Sequence, residues 1–455
     1  LERAAAEHGD RMALHTARRS LTFAALENAV RRAVGGLRRA GVGSGDRVAI
    51  WAGNDVPTVV ALWAIPRTGA MAVPLSTRLT RSEAATRVDA VRATRVVGGP
   101  GPPLPGVEGI LLESLGEGTP TDGEPVAPDS PHMILFTSGT AGPVKGVLLT
   151  PRNFEASAAA SAARLGNDAG DRWLLVLPLF HIGGLSVLWR SARQGGVVVL
   201  EPRFDPARAA RLIASGRITV ASLVPTMLQR ILDRFPGPFG RLRAVLVGGG
   251  PVDIDLLERA LGLGMPALQT YGMTETASQV ATVAPGEERQ RLGTAGRALP
   301  TAELRVLHDQ GEAGPGEVGE IAVRGPMVSP GYLGGPGRAP GEWLHTGDVG
   351  LIDEDGYVTV MGRADDLIVT GGENVHPAEV EAVLLAHPDV ASAVVHAESD
   401  AEWGHVVAAS VVPAAGHRFD SEALEAFLRE RLAGFKVPRR WHVVESLPLR
   451  RTASS

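Results

Sequence analysis

Residues 134–150 read ILFTSGTAGPVKGVLLT. An apolar run, Ile134 to Phe136, gives way to Thr137, Ser138 and Thr140 set around Gly139 and Gly142, and Lys145 precedes a second apolar run. Two readings fit these residues. One is a surface turn. The other is a phosphate cradle, in which exposed backbone N–H groups, short hydroxyls and one cation converge on an anion. It is not a Walker loop, because GxxxxGK[ST] is absent.

Outward from this stretch, short apolar runs alternate with helical patterns. DRVAIWAG (46–53), AMAVPLS, WLLVLPL, VVVLEP, ITVASLVP, LRAVLVGG and PALQTYG read as strands. VPTVVALWAIPRTGA (56–70), DPARAARLIASG and DIDLLERALGLG read as helices. Such alternation predicts an α/β fold with parallel sheets covered by helices. From about Gly293 the runs shorten to AELRVL, GEIAVRG and VGLIDEDGYVTVMG, with Asp355-Gly356 as a hairpin turn, which predicts a β-rich subdomain over 293–362. Beyond the polar stretch 362–366, helices HPAEVEAVLLAHP and DSEALEAFLRERLAGF flank strands SAVVHAES and HVVAASVVP. These predict a small α+β domain over 363–455, separate from a core over 1–362.

A chain of 455 residues exceeds what one hydrophobic core supports, so at least two domains are expected. Its 44% hydrophobic and 21% charged residues are those of a globular protein. The net charge of −5, with no basic block, argues against nucleic acid as a partner. The absence of cysteine excludes disulfides and thiolate metal sites and fits a reducing, cytoplasmic setting. The N-terminus lacks a signal peptide's apolar core. The longest apolar stretch, Trp173 to Trp189, is broken by Pro178, His181 and Gly183-Gly184, so a strand, turn and buried helix is expected instead of a membrane span. A homo-oligomer is left open.

Tyr271-Gly272-Met273-Thr274-Glu275-Thr276 follows the strand PALQ. An aromatic ring can stack on a base, a hydroxyl can reach phosphate, and a carboxylate can hold Mg²⁺; an ordinary strand-end turn is the plainer alternative. Thr346-Gly347-Asp348 could clamp a ribose, since one carboxylate accepts from two adjacent hydroxyls. It could equally be one more Asp turn. His181 is either a core histidine or a pocket wall. Gly248-Gly249-Gly250 is either a tight turn or a backbone floor under a substrate. HExxH and GxSxG are absent, and GVGSGD (41–46) precedes a strand, the wrong context for a dinucleotide site.

Taken together and in order, these segments resemble the signatures of the adenylate-forming enzymes: acyl-CoA synthetases, peptide-synthetase adenylation domains and luciferases. The resemblance implies activation of a small carboxylic acid by ATP with Mg²⁺, then transfer to CoA as co-substrate. It places Thr137, Ser138, Gly139, Thr140 and Lys145 on the phosphates. Tyr271 would pack on adenine, Gly272, Gly249 and Gly250 would bind the nucleotide, Thr274 would contact phosphate and Glu275 would bind Mg²⁺. Asp348 and Arg363 would hold the ribose, and Asp365 would be the hinge of the small domain. His181 and Gly248 would border the acid. Within the family, LPLFHIGGLSVLWRS and QTYGMTETASQVATVAP look most like the ligases that act on 2-succinylbenzoate. That acid carries a second carboxylate and a ketone, which makes Ser222, Thr226, Ser278 and Gln279 candidate polar partners. Glu379 reads as the start of a helix and Lys436 as a surface lysine before a proline turn. The family ends in a Gly-Lys turn, whereas this chain reads LPLRRTASS up to Ser455; whether that is a truncation or a real loss of the lysine stays open, and slow adenylation is expected of the 455 residues as they stand. An aryl or medium-chain acid–CoA ligase, an enzyme that passes the acyl group to a carrier protein or amine, and a nucleotide-binding regulator are the competing readings.

Overall fold

The computed structural model describes residues 1–98, 104, 106–137, 145–239, 241–308, 311–364, 368–370, 373–400, 404–445 and 447. Ser138, Gly139, Thr140, Asp365, Gly371 and Gly372 lie outside the described residues. The chain divides into two compact units, 1–303 with 324–343, and 304–323 with 344–451.

The first unit contains two sheets. One has six strands in the order Glu108–Leu111, Arg95–Gly98, Arg47–Trp51, Met71–Pro74, Met133–Thr137 and Lys145–Leu149. All are parallel except the last, which turns back along its neighbour. The other has nine strands, with a parallel centre and an antiparallel strand or pair at each edge. Helices cover both sheets on both faces, which explains the unbroken apolar runs. Along Arg172–Leu175, Trp173 and Leu175 join one core while Leu174 joins another. The first core lies between the sheets and takes in helices Phe23–Arg39, Val56–Ala64, Pro151–Leu165 and Ile182–Gln194. The second packs helices Pro206–Ala214, Pro225–Leu232 and Ile254–Gly262 on the outer face of the larger sheet. The stretch 173–189 is a strand, a turn and a buried helix, as expected. No helix among the described residues is long and apolar enough to cross a membrane.

Helix starts follow local chemistry. Thr150 accepts from Asn153 N–H, while the Asn153 side chain accepts from Thr150 N–H, a reciprocal cap that fixes where helix Pro151–Leu165 leaves the hairpin.

In the second unit a five-stranded sheet includes Glu303–His308, Gly319–Arg324, Leu344–Ile352 and Val358–Arg363. The last two form the hairpin announced by Asp355-Gly356, with Gly356 at φ +84°. A second sheet pairs Val390–Asp400 antiparallel with Gly404–Pro413, and Arg440–Val443 runs parallel to the latter. Val395, Val407, Ala409 and Val411 of this sheet share a core with Val380 and Leu384 of helix Pro377–Leu385 and Leu424 and Leu428 of helix Ser421–Arg429.

Candidate active site

The hairpin 133–149 sets Thr137 opposite Lys145 at the end where residues 138–144 connect its two strands. A distant segment completes this corner. Leu148 N–H donates to Gly331 C=O at 3.0 Å and Leu333 N–H donates to Gly146 C=O at 2.8 Å, so residues 331–333 lie along the strand Lys145–Leu149. That pairing carries Tyr332 to Lys145, whose Nζ sits 5.5 Å from the ring centroid. The Tyr332 hydroxyl donates to Glu275 Oε1 at 2.8 Å, and Ser329 N–H donates to Glu275 C=O at 2.8 Å. Tyr332 therefore connects the lysine of one signature with the carboxylate of the other. The sequence reading passed over it, although it is one of only three tyrosines.

Glu275 lies in a single helical turn, Thr274–Thr276, between strands Ala267–Met273 and Ser278–Thr282. Thr274 is buried. Thr276 Oγ1 accepts from Met273 N–H at 3.1 Å and lies 2.8 Å from Ser278 C=O, which ties the turn shut. Closure forces Ala277 to φ +50° and Ser278 to φ +107°, conformations that cost about 1–3 kcal/mol each outside glycine. Gly272 is required here, since a Cβ would meet Ser278 O at 1.9 Å. Among the described residues, Glu275 makes one side-chain hydrogen bond, to Tyr332. A carboxylate oriented in this way fits Mg²⁺, which takes oxygen donors from one or two carboxylates and from substrate phosphates.

The candidate acid-binding residues divide. Gln279 has its amide hydrogens taken by Thr270 Oγ1 at 2.9 Å and Thr282 Oγ1 at 2.8 Å, and its oxygen by Ser161 Oγ at 2.9 Å. It ties a helix to the sheet and has no hydrogen left for an acid, contrary to the expectation. Ser222 Oγ accepts from Trp173 Nε1 at 3.2 Å, and Thr226 is exposed on the first turn of helix Pro225–Leu232. Gly248 has a packing reason: a Cβ there would meet Thr270 O at 2.7 Å. Gly249 has a conformational one, at φ +78°, and Gly250 is open to solvent. His181 caps helix Ile182–Gln194, 4.6 Å from the Phe180 ring, and burial, assisted by the Arg78 charge, pushes its pKa down to about 4. It is therefore a neutral imidazole near neutral pH. The turn before it hangs on Asn54, which accepts from Leu179 N–H and donates to Leu177 C=O.

The same helix carries a residue that the sequence reading missed. Arg190 is buried, 3% exposed, with its guanidinium 5.5 Å over the Trp173 ring and Nη2 donating to Ser278 Oγ at 3.1 Å. Its Nε is buried with no partner, and no carboxylate lies within ion-pair distance among the described residues. Burial alone pulls its pKa down to about 9. The available signal was a lone arginine in the apolar run LSVLWRS.

In the second unit, Asp348 stands opposite Arg363 on paired strands, Oδ1 to Nη1 at 3.3 Å. Asp348 N–H donates to Thr346 Oγ1 at 3.0 Å, and Thr346 Oγ1 donates to Ile321 C=O at 2.6 Å. Gly347 N–H donates to Glu320 Oε1 at 2.9 Å with φ +72°. The two residues expected at the ribose are thus neighbours. Glu379 does start a helix, Pro377–Leu385, but Lys436 is no bare surface lysine: its Nζ lies 2.7 Å from both Glu379 carboxylate oxygens.

A half-buried carboxylate, a lysine at the loop end of a hairpin and a tyrosine between them suit polyphosphate and Mg²⁺. The chain belongs to the AMP-binding enzyme family, which matches residues 1–333, with the AMP-binding enzyme C-terminal domain matching residues 379–454. It is an AMP-forming acid–CoA ligase by that membership and by its relatives. It is similar to the 2-succinylbenzoate–CoA ligase of Bacillus licheniformis, 40% identical over 96% of this chain and 94% of the relative. Among solved structures it is similar to o-succinylbenzoate CoA synthetase from Bacillus subtilis in complex with its acyl-adenylate intermediate, with TM-score 0.94 and 35% identity over 100% of this chain and 96% of that one. The same synthetase in complex with ATP and magnesium ion gives TM-score 0.92 at 35% identity, over 100% and 97%.

Proposed function

We propose that this chain activates 2-succinylbenzoate at its succinyl carboxylate, using ATP, and transfers the acyl group to CoA. The carboxylate oxygen bonds to the α-phosphorus and pyrophosphate leaves; the CoA thiol then attacks the acyl carbon and AMP leaves. Bringing two anions together is the obstacle, so charge at the phosphates must be neutralised. Lys145 is the cation beside the hairpin mouth, and Tyr332 orients Glu275. Mg²⁺, held by Glu275, would add neutralising charge at the phosphate oxygens. Asp348 and Arg363 are assigned to the ribose.

The observation that carries the choice of acid is Arg190. Among the described residues no carboxylate pairs with this buried guanidinium, which is costly unless an anion joins it. 2-Succinylbenzoate brings a ring carboxylate that is not consumed in the reaction. Simple aryl or fatty acids bring none. Ser278, held by Arg190, shares that assignment; Gln279 does not. A core over 1–362, a small domain from 363 and a turn of that domain about Asp365 complete this reading, supported by the separate C-terminal match from residue 379.

The test offers a panel of acids in a pyrophosphate-release assay, with CoA, a carrier protein and amines present together. 2-Succinylbenzoate should give the highest kcat/KM and the CoA thioester should dominate the products. Faster turnover of benzoate or fatty acids would overturn the assignment of the acid, and acyl transfer to the carrier or amine that of the acceptor.

A further inference from the structure

One face of the C-terminal sheet is core, and the other carries an unusual set of side chains. His396 and Glu398, two apart on Val390–Asp400, point to the same side. His442 comes from Arg440–Val443, with Gly404–Pro413 lying between the two strands. On that middle strand Ala408 pairs with His396 on one side and Arg440 on the other. A methyl group at that position lets longer side chains from the flanking strands meet above it. Glu398 Oε1 lies 2.5 Å from His442 Nε2 and 3.4 Å from His396 Nε2, and the three ligand atoms lie within 4.8 Å of one another. The imidazole rings stack at 5.9 Å.

We propose that His396, Glu398 and His442 form a binding site for a divalent transition-metal cation of the Zn²⁺ class. Two imidazole nitrogens and one carboxylate oxygen are the donor set of three-ligand zinc sites, with water as the fourth ligand. Tetrahedral bonds of about 2.0–2.1 Å require ligand atoms about 3.4 Å apart, the distance already held by Glu398 and His396. His442 must withdraw from Glu398 by about 1 Å, and with the three ligand atoms within 4.8 Å of one another, side-chain rotation suffices to bring the two imidazole nitrogens to the same edge. The other carboxylate oxygen is fixed from behind: Arg440 Nη1 donates to Glu398 Oε2 at 3.0 Å, and Arg440 Nη2 donates to Asp400 Oδ2 at 3.0 Å. Such outer contacts orient a ligand and keep it ionised. The Arg440 hydrogen bond, then that of His442, holds the Glu398 carboxyl below the usual carboxylate range. Among the described residues the charged groups on this patch are Glu398, Asp400, Arg440 and the two histidines, and these carry one net negative charge when the imidazoles are neutral. Nitrogen donors select against Mg²⁺, so the site is independent of Glu275. Its effect is to fasten Arg440–Val443 to Val390–Asp400 across the middle strand.

The experiment uses the full chain, freed of metal by a chelator, in excess Mg²⁺. Titration with Zn²⁺ should show one saturable site, and Co²⁺ should give the visible absorption of a four-coordinate ion. His396→Gln and His442→Gln should each weaken Zn²⁺ binding at least about tenfold, the lower end of what even a ligand's outer partners are worth. Both should abolish the Co²⁺ bands and the Zn²⁺-induced rise in melting temperature. Metal-free melts identify any variant that has lost its fold, and Glu398→Gln serves as the third variant in that case. Absence of saturable binding at millimolar Zn²⁺, or binding that survives both histidine substitutions, overturns the proposal.

Discussion

Replacing Arg190 with methionine should separate stability from recognition. The wild-type guanidinium is buried, has no carboxylate beside it among the described residues and has an unpartnered Nε. Its pKa near 9 corresponds to a penalty on the order of 5 kcal/mol against the charged form. Relaxation and the effective dielectric of real interiors reduce this to a few kcal/mol. The hydrogen bond to Ser278 and the contact with Trp173 offset about 1–3 kcal/mol of it. Methionine fills much of the same volume without charge, so unfolding stability in urea should be unchanged or raised by about 1–2 kcal/mol. Substrate recognition should move the opposite way. Truncating one partner of a buried charge pair costs about 2–5 kcal/mol, or roughly 30-fold to several thousand-fold in kcat/KM for 2-succinylbenzoate. 4-Oxo-4-phenylbutanoate, which keeps the succinyl chain and lacks the ring carboxylate, should be used equally well by both proteins. Equal losses on both acids, or a variant less stable by more than about 2 kcal/mol, would refute the reasoning.

Asp348→Ala should weaken ATP binding by about 1.5–3 kcal/mol per lost hydrogen bond to the ribose, while leaving the thermal melt close to wild type; calorimetric titration beside a melt checks both. Tyr332→Phe removes the hydroxyl that orients Glu275, so the Mg²⁺ concentration for half-maximal pyrophosphate release should rise, by an amount of about 1 kcal/mol or roughly fivefold, and an unchanged Mg²⁺ dependence would detach Tyr332 from the site. His132 is buried with Nδ1 unpartnered, and burial pushes its pKa down to about 4. The unfolded chain takes up this proton near pH 6.5 and the folded one only near 4, so stability is lost as pH falls through that window, on the order of 3 kcal/mol. His132→Phe should flatten that acid limb in urea unfolding measured at several pH values.

Much of the architecture was legible because its cause is local. A strand covered on both faces must be apolar at every position, and 173–176, 197–200 and 244–247 are. The segments 271–276 and 346–348 were legible for the same reason, since Thr276 closes the first on Met273 and Ser278 and Thr346 accepts from Asp348 N–H in the second. What was not legible comes from long-range contacts. Tyr332 reaches Glu275 only because 331–333 pairs with a strand almost two hundred residues earlier. Arg190 reads like any helical arginine until the neighbouring strands bury it. Gln279 misled in the opposite sense: adjacency to a signature suggested contact with substrate, but its amide is taken by Thr270, Thr282 and Ser161.

The excursion 324–343 belongs to the first unit, yet in the chain it lies between strands of the second. Among the described residues the backbone therefore passes between the units three times, near 303, 323 and 343. Neither unit is a contiguous piece of gene. A fragment ending at 303 would keep Lys145 and Glu275 and lose Tyr332 and Ser329, the two residues that grip Glu275 by side chain and by backbone. Inheritance of the corner formed by Lys145, Glu275 and Tyr332 thus depends on a stretch of gene that lies between strands of the other unit. A single recombination breakpoint between 275 and 332 would separate the carboxylate from its tyrosine, so exchange that keeps this pair from one parent requires a breakpoint outside that interval.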